Sequence, residues 1–407
     1  MELGASGGAA RQLSIETPTG MEGMEAQLPG GSLFALLVLA KRTYAFDVDG
    51  RIWPAESQVH LYEDCVDDPA SPLGLMLHDS DLYPFKPLTD VVVLGHAYPR
   101  RGERSFEAAI TIGKHRKVLS VLGERSAGLD HLGRVRFSDA QPFTGAVPLT
   151  MALAYGGSDV AAEARYGNPY EEARDLLGDD EAVAEASPYR YPRNPFGRGY
   201  LVEVTRASFD HFQLPQLEEP TGRLHPEQLA AGSPDLWPRM PLPWTLGWQE
   251  PSLFPRCACA GLPTEHAPLS QHYTEVRRGF YPKSVFTALL ADSESDPDLE
   301  RVSPYFANGA SLGLARRVGP GEAIELVRLH PSRENVRFNL PNVPPRLFVD
   351  GREGALLETR PRLHSVVVEP DAGRFSLLWA GIGPARRPYT AEELETMPFK
   401  ALFPPNT

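Results

Sequence analysis

In the stretch SDLYPFKPLTDVVVLGHA (residues 80–97), two carboxylates, an amine and an imidazole gather around two prolines and an apolar run. They belong to Asp81, Lys86, Asp90 and His96. Asp81 and Asp90 can form a carboxylate pair for acid and base work on a sugar, as glycosidases do. His96 can act as a base oriented by Asp90. The same residues also suit a folded corner. Ser80 and Asp81 can make side-chain turn bonds, Pro84 and Pro87 fix the bend, and Asp90 can bond exposed amides or Lys86. Lys86 lies between Phe85 and Pro87, where full exposure is difficult, so a carboxylate partner is expected. The corner account leads for the two acids and the lysine, and His96 is expected as a satisfied histidine at a strand end.

A second constellation is RNPFGRGYL (193–201). Asn194-Pro195 starts a turn, Gly197 and Gly199 permit close backbone approach, and Arg198 can offer its planar fork to a carboxylate or to carbonyls. This reads as a structural clasp, because a phosphate cradle would need a helix to follow the glycines. Elsewhere there is no phosphate loop ending in Gly-Lys-Ser/Thr and no His-Glu-x-x-His, and the 11 histidines are scattered singly. Cys257-Ala258-Cys259 has no second Cys or His pair at zinc-ribbon spacing. No metal, no cofactor and no enzymatic activity are expected.

The elements that must position these residues are mostly strands. Leu33 to Ala40 runs into alternating Tyr44, Phe46 and Val48 before an Asp49-Gly50 turn, and further period-two runs cover Val91 to Leu94, Phe106 to Ile112 and Val118 to Leu122. Residues 147–155 read as a short helix stopped by Gly156-Gly157, and 170–187 as an acidic helical insertion. From 188 to about 270 proline dominates, so this segment must run over a sheet rather than inside one. Its aromatic residues, Trp244 and Trp248 among them, argue for order and for a surface that holds a partner or plugs the core. After a helix expected at 284–291, alternating runs from 322 to 381 predict an antiparallel meander, followed by a terminal helix at the capping box Thr390-Ala391-Glu392-Glu393.

The fold class expected is therefore mainly β, with antiparallel sheets in a sandwich or barrel-like arrangement, long Pro-rich surface segments and a few short helices. The expected organisation is a flexible low-complexity arm at 1–30, an N-terminal β-rich domain at 31–270 that includes the Pro/aromatic segment 188–256, and a C-terminal antiparallel region at 271–407. With 40 Lys+Arg against 53 Asp+Glu, the net charge of −13 repels phosphate backbones, and nucleic acid is not an expected partner. The basic runs Arg100, Arg101, Arg104 and Lys114, Arg116, Lys117 are expected as solvated hairpin tips. The 3 cysteines lack a disulfide framework, and the apolar run 33–40 falls far short of the ~20 residues that span a bilayer. A cytoplasmic protein with no membrane partner is expected.

Taken in order, SDLYPFKPLTDVVVLGHA, VLGER, VPLTMALAYGG, NPFGRGY, QLPQLEEP and LHSVVVEPDAGRFSLLWAG resemble the markers of the bacterial type VI secretion accessory family catalogued as domain of unknown function 2169. The resemblance spans about residues 33 to 380. It implies a non-enzymatic adaptor or chaperone whose partners are proteins: a secreted effector, a PAAR-type spike tip and the secretion spike. Two alternatives stand beside it, a carbohydrate-active or carbohydrate-binding β-protein using Asp81 and Asp90, and a structural component of a contractile injection machine.

Overall fold

The computed structural model describes residues 3–5, 19–28, 31–249, 308–350, 355–385, 393 and 399–404, apart from short gaps at 63–64, 70, 72–73, 82–85, 168–186, 210–211 and 231–233. Two sheets share one apolar core. The larger runs Leu3–Ala5, Thr19–Leu28, Gly31–Phe46, Arg374–Ala385, Arg362–Glu369, Thr89–Val93, Ala315–Arg316, with Ile52–Pro54 also paired to Gly31–Phe46. The smaller runs Leu217–Glu218, His115–Leu122, Ser105–Ile112, Ala323–Val327, Asn335–Asn339. Leu36, Val38, Val91 and Phe375 from the first meet Ile110, Leu119, Leu326 and Phe338 from the second. Phe338 stacks on both Phe46 and Phe375, with ring centres 4.6 and 4.9 Å apart, which closes the gap between the layers. The protein is mainly β, built of several antiparallel sheets, and no barrel closes among the described residues.

Local sequence explains individual strands well. Asn335–Asn339 alternates exposed and buried residues, as an edge strand with one wet face should. Thr89–Val93 is buried at every position, which suits its β-branched Thr89 and Val91 to Val93 and its place between two neighbours. One of those pairings is parallel: Ser365 to Val368 lie in register beside Asp90 to Val93. It is an exception within an otherwise antiparallel sheet, and it draws together segments far apart in the chain.

Several expectations change. The boundary expected near residue 270 does not separate two sheets, because each sheet takes strands from both sides of it. Within the expected arm, Thr19–Leu28 pairs antiparallel with Gly31–Phe46 from Thr19↔Ala40 to Leu28↔Gly31. Low-complexity composition bears on side-chain burial, whereas a ladder needs only main-chain donors and acceptors. Residues 147–155 form no continuous helix. A single 3₁₀ turn at Met151–Leu153, capped by the Thr150 hydroxyl, lies between two short strand bridges. The described α-helices are two, Val160–Tyr166 and Pro226–Ala230. The insertion read at 170–187, the helix at 284–291, Cys257 and Cys259 lie almost wholly outside the described residues, as does the terminal helix. Among the described residues, no helix is long and apolar enough to cross a membrane.

Candidate functional site: a sealed corner and an open clasp

The corner at 80–97 is a sealed ion centre. Lys86 Nζ donates to Asp90 Oδ2 at 2.8 Å and to Ser365 Oγ at 3.3 Å. Asp90, 0% exposed, also accepts from Asn308 Nδ2 at 3.1 Å and from the main-chain N–H groups of Gly309 and Ala310 at 3.0–3.1 Å. Asn308 in turn bonds the Leu88 carbonyl, and Gln249 N donates to Gly309 O, so that 86–90, 248–249 and 308–311 are knitted around one carboxylate. The Trp248 ring lies 5.4 Å from the Lys86 ammonium and is itself in the core. Lys86 thus has the carboxylate partner expected from its sequence position.

Asp81 is held elsewhere. Its Oδ2 accepts from Lys41 Nζ at 2.6 Å and from Tyr62 N at 2.9 Å, and Lys41 also donates to the His60 carbonyl. Lys41, Leu378, Ser365 and Asp90 occupy one cross-strand row, so Lys41 and Asp90 are three strand spacings, about 14 Å, apart along the sheet. Each aspartate therefore has its own lysine, and the structure does not bring the two carboxylates together as a pair. His96 is oriented by Asp371, Nδ1 to Oδ2 at 2.6 Å, and not by Asp90. Tyr98 donates to the other oxygen of Asp371 at 2.7 Å, and burial together with that bond pushes its phenol well up.

Next to Ser365, the strand bulges at His364, whose ring is fully buried. Neither ring nitrogen has a partner among the described residues. Burial, with Lys86 and Arg362 nearby, holds this imidazole neutral, far below its ordinary range. Strand periodicity does not single out His364, because this strand is buried on both faces from His364 to Val368.

The clasp forms as expected, but a different arginine tightens it. Asn194 Nδ2 donates to the Met151 and Tyr155 carbonyls at 2.9 and 3.1 Å, and the Asn194 carbonyl accepts from Gly157 N. Tyr155–Gly156 pairs in parallel with Arg198–Gly199. A Cβ at Gly197 would strike Asn194 Nδ2 and the Ala154 carbonyl, so this approach needs glycine. Arg193, 1% exposed, donates to the Tyr191 hydroxyl and to the Pro238 and Met240 carbonyls. These proline-rich residues offer carbonyls and few N–H groups, which a guanidinium suits. Arg193 is thus the clasp residue that its sequence context does not mark, while Arg198 makes no such bond to the described residues.

Trp244 and Trp248 face inward. Trp248 is 7% exposed and packs in the main core, and Trp244 Nε1 donates to the Val118 carbonyl at 2.8 Å. Trp248 plugs the core, and the half-buried Trp244 spends its indole N–H inside the fold while its ring lines an open cleft. Lys117, read as part of a solvated hairpin tip, is 5% exposed. Its ammonium bonds Ser311 Oγ at 2.8 Å and sits 4.2 Å from the Trp244 ring centre. Burial drives its pKa far down. Among the described residues, no group of His, Cys, Asp and Glu is arranged to hold a metal ion.

A mainly β protein of several antiparallel sheets, with a sealed ionic corner and a glycine-rich clasp, is the class these features define. Residues 33–380 match the bacterial family described as uncharacterized protein conserved in bacteria, domain of unknown function 2169, and the chain belongs to that family. No curated protein matches it. No solved structure matches it.

Proposed function

We propose that this chain is a non-enzymatic cytoplasmic adaptor that holds a secreted effector or a PAAR-type spike-tip protein and loads it onto the type VI secretion spike. The observation that carries this reading is the saturation of Asp90. Its carboxylate is taken up by an ammonium, a side-chain amide and two main-chain N–H groups, with no exposure to a substrate. A general acid or base must reach the proton it transfers, and Asp90 is built to hold segments together. The resemblance of the ordered markers to the secretion accessory family supplies the partner class. The rigid clasp supplies a preordered surface, which lowers the ordering cost of binding.

Co-purification of the tagged protein from its own cells, read by mass spectrometry, tests the proposal. Recovery of a spike-tip protein or effector is the expected result. Recovery only within sedimented injection particles favours a structural component, and retention on a glycan column without protein partners favours the carbohydrate alternative.

A further inference from the structure

We propose that the cleft beside Arg198 is a carboxylate-binding site, which takes an acidic side chain or the terminal carboxylate of a peptide. This deepens the adaptor reading, and rests on it only for where such a peptide would come from.

Arg198 is half-buried, and its guanidinium has no hydrogen bond or ion pair among the described residues. Burial pulls its pKa down, and the one acid that pushes back, Glu124, is exposed at the rim. Two neighbouring arginines are engaged. Arg193 is clamped on carbonyls, and Arg125 donates to Glu218 and to the Pro215 carbonyl. No described carboxylate bonds the Arg198 fork, in a protein of net charge −13. Buried or half-buried donors are normally satisfied, and an arginine fork fits a carboxylate with two parallel bonds.

The surroundings fit such a ligand. Arg198 lines two adjoining clefts of about 350 and 340 Å³, at the small end of ligand sites. The first is walled by Phe212 and Leu214 and has the exposed amides of Gln141 and Gln213 at its edge. The second guanidinium of this cleft, Arg125, is already paired with Glu218, so the unspent charge of Arg198 beside Glu124 suits a monoanion better than a doubly charged phosphate. The arginine is also preset. Gly199 has φ of +99° and leaves no room for a Cβ against Pro215 and Leu224, while Arg198 N is bonded to the Ala154 carbonyl. The backbone that carries the guanidinium is therefore pinned on both sides.

Fluorescence anisotropy with labelled short peptides tests the site on the full chain. One peptide carries an internal glutamate and an amidated end, a second carries glutamine with a free carboxyl end, and a third is neutral at both. At least one carboxylate peptide should bind about tenfold more tightly than the neutral one, and which of the two does so identifies the source. Arg198→Gln and Arg198→Met should both abolish the preference with unchanged melting, and Arg198→Lys should restore part of it. The exposed-arginine control Arg346→Gln should leave it intact. Equal binding of all three peptides, or a preference that survives in the folded Arg198 variants, would overturn the proposal. So would inorganic phosphate competing better than acetate. The titration needs no spike or effector, so a failed co-purification and a failed carboxylate site are told apart.

Discussion

Lys86 and Arg198 are two cations that the sequence marks out, and they end in opposite circumstances. Lys86 is sealed with a carboxylate whose remaining lone pairs are filled by Asn308, Gly309 and Ala310. Arg198 stands half-open on two clefts with its fork unused. A charge fully answered within the fold fixes segments relative to one another. A charge left unanswered at a preordered surface is capacity for something outside the fold.

The largest effect that separates the two regions should come from the corner. Asp90→Ala removes the carboxylate that neutralises the buried Lys86 ammonium and takes away the acceptor of the Gly309 and Ala310 main-chain N–H groups, and should destabilise the protein by about 3–5 kcal/mol; urea denaturation measures it. Retention of stability together with loss of partner binding would move Asp90 from scaffold to function. Trp248→Ala empties a core position beside the same centre and should lower stability by roughly 3 kcal/mol or more, seen as a shift in denaturation midpoint without a new binding defect in the folded fraction.

A smaller effect comes from histidines. Burial lowers His78 to about 4 and also drives His364 well down, so the native state keeps both neutral while the unfolded chain takes up protons below about pH 6.5. Stability should therefore fall as pH drops from 6.5 toward 4, by at most about 1.4 kcal/mol per pH unit for each group. His78→Phe, which keeps a ring stacked on Tyr62, should flatten that slope in pH-dependent melts. The smallest effect belongs to the clasp cleft. Arg198→Gln should change stability by no more than about 0.5 kcal/mol, because its guanidinium bonds none of the described residues.

What the sequence discloses follows the range of the interactions involved. The alternation of Ala323–Val327 and Asn335–Asn339, the Asp49-Gly50 turn and the glycines of the clasp are local, and all are found where the sequence puts them. The Lys86–Asp90 pair is local too, four residues apart, and its carboxylate partner follows from the cramped proline context. The rest depends on distant segments. Lys117 is buried because Trp244 and Ser311 close over it, and nothing in GKHRK signals that cover. Asp371 claims His96 across the fold. Arg193 and Arg198 sit in one glycine-rich run with similar local context, and only the path of residues 238–241 decides which of them is clamped. The parallel seat of Thr89–Val93 beside Ser365 to Val368 is likewise invisible to strand periodicity, which carries no information on pairing partners.

The most direct test of the sealed corner is a double-mutant cycle on Lys86→Ala and Asp90→Ala, read by chemical denaturation. Each single change should be strongly destabilising, and the double mutant should lose less than the sum of the two by about 1–3 kcal/mol, because the second removal relieves the charge stranded by the first. Small and additive losses would contradict the account and return Asp90 to the residues available for function.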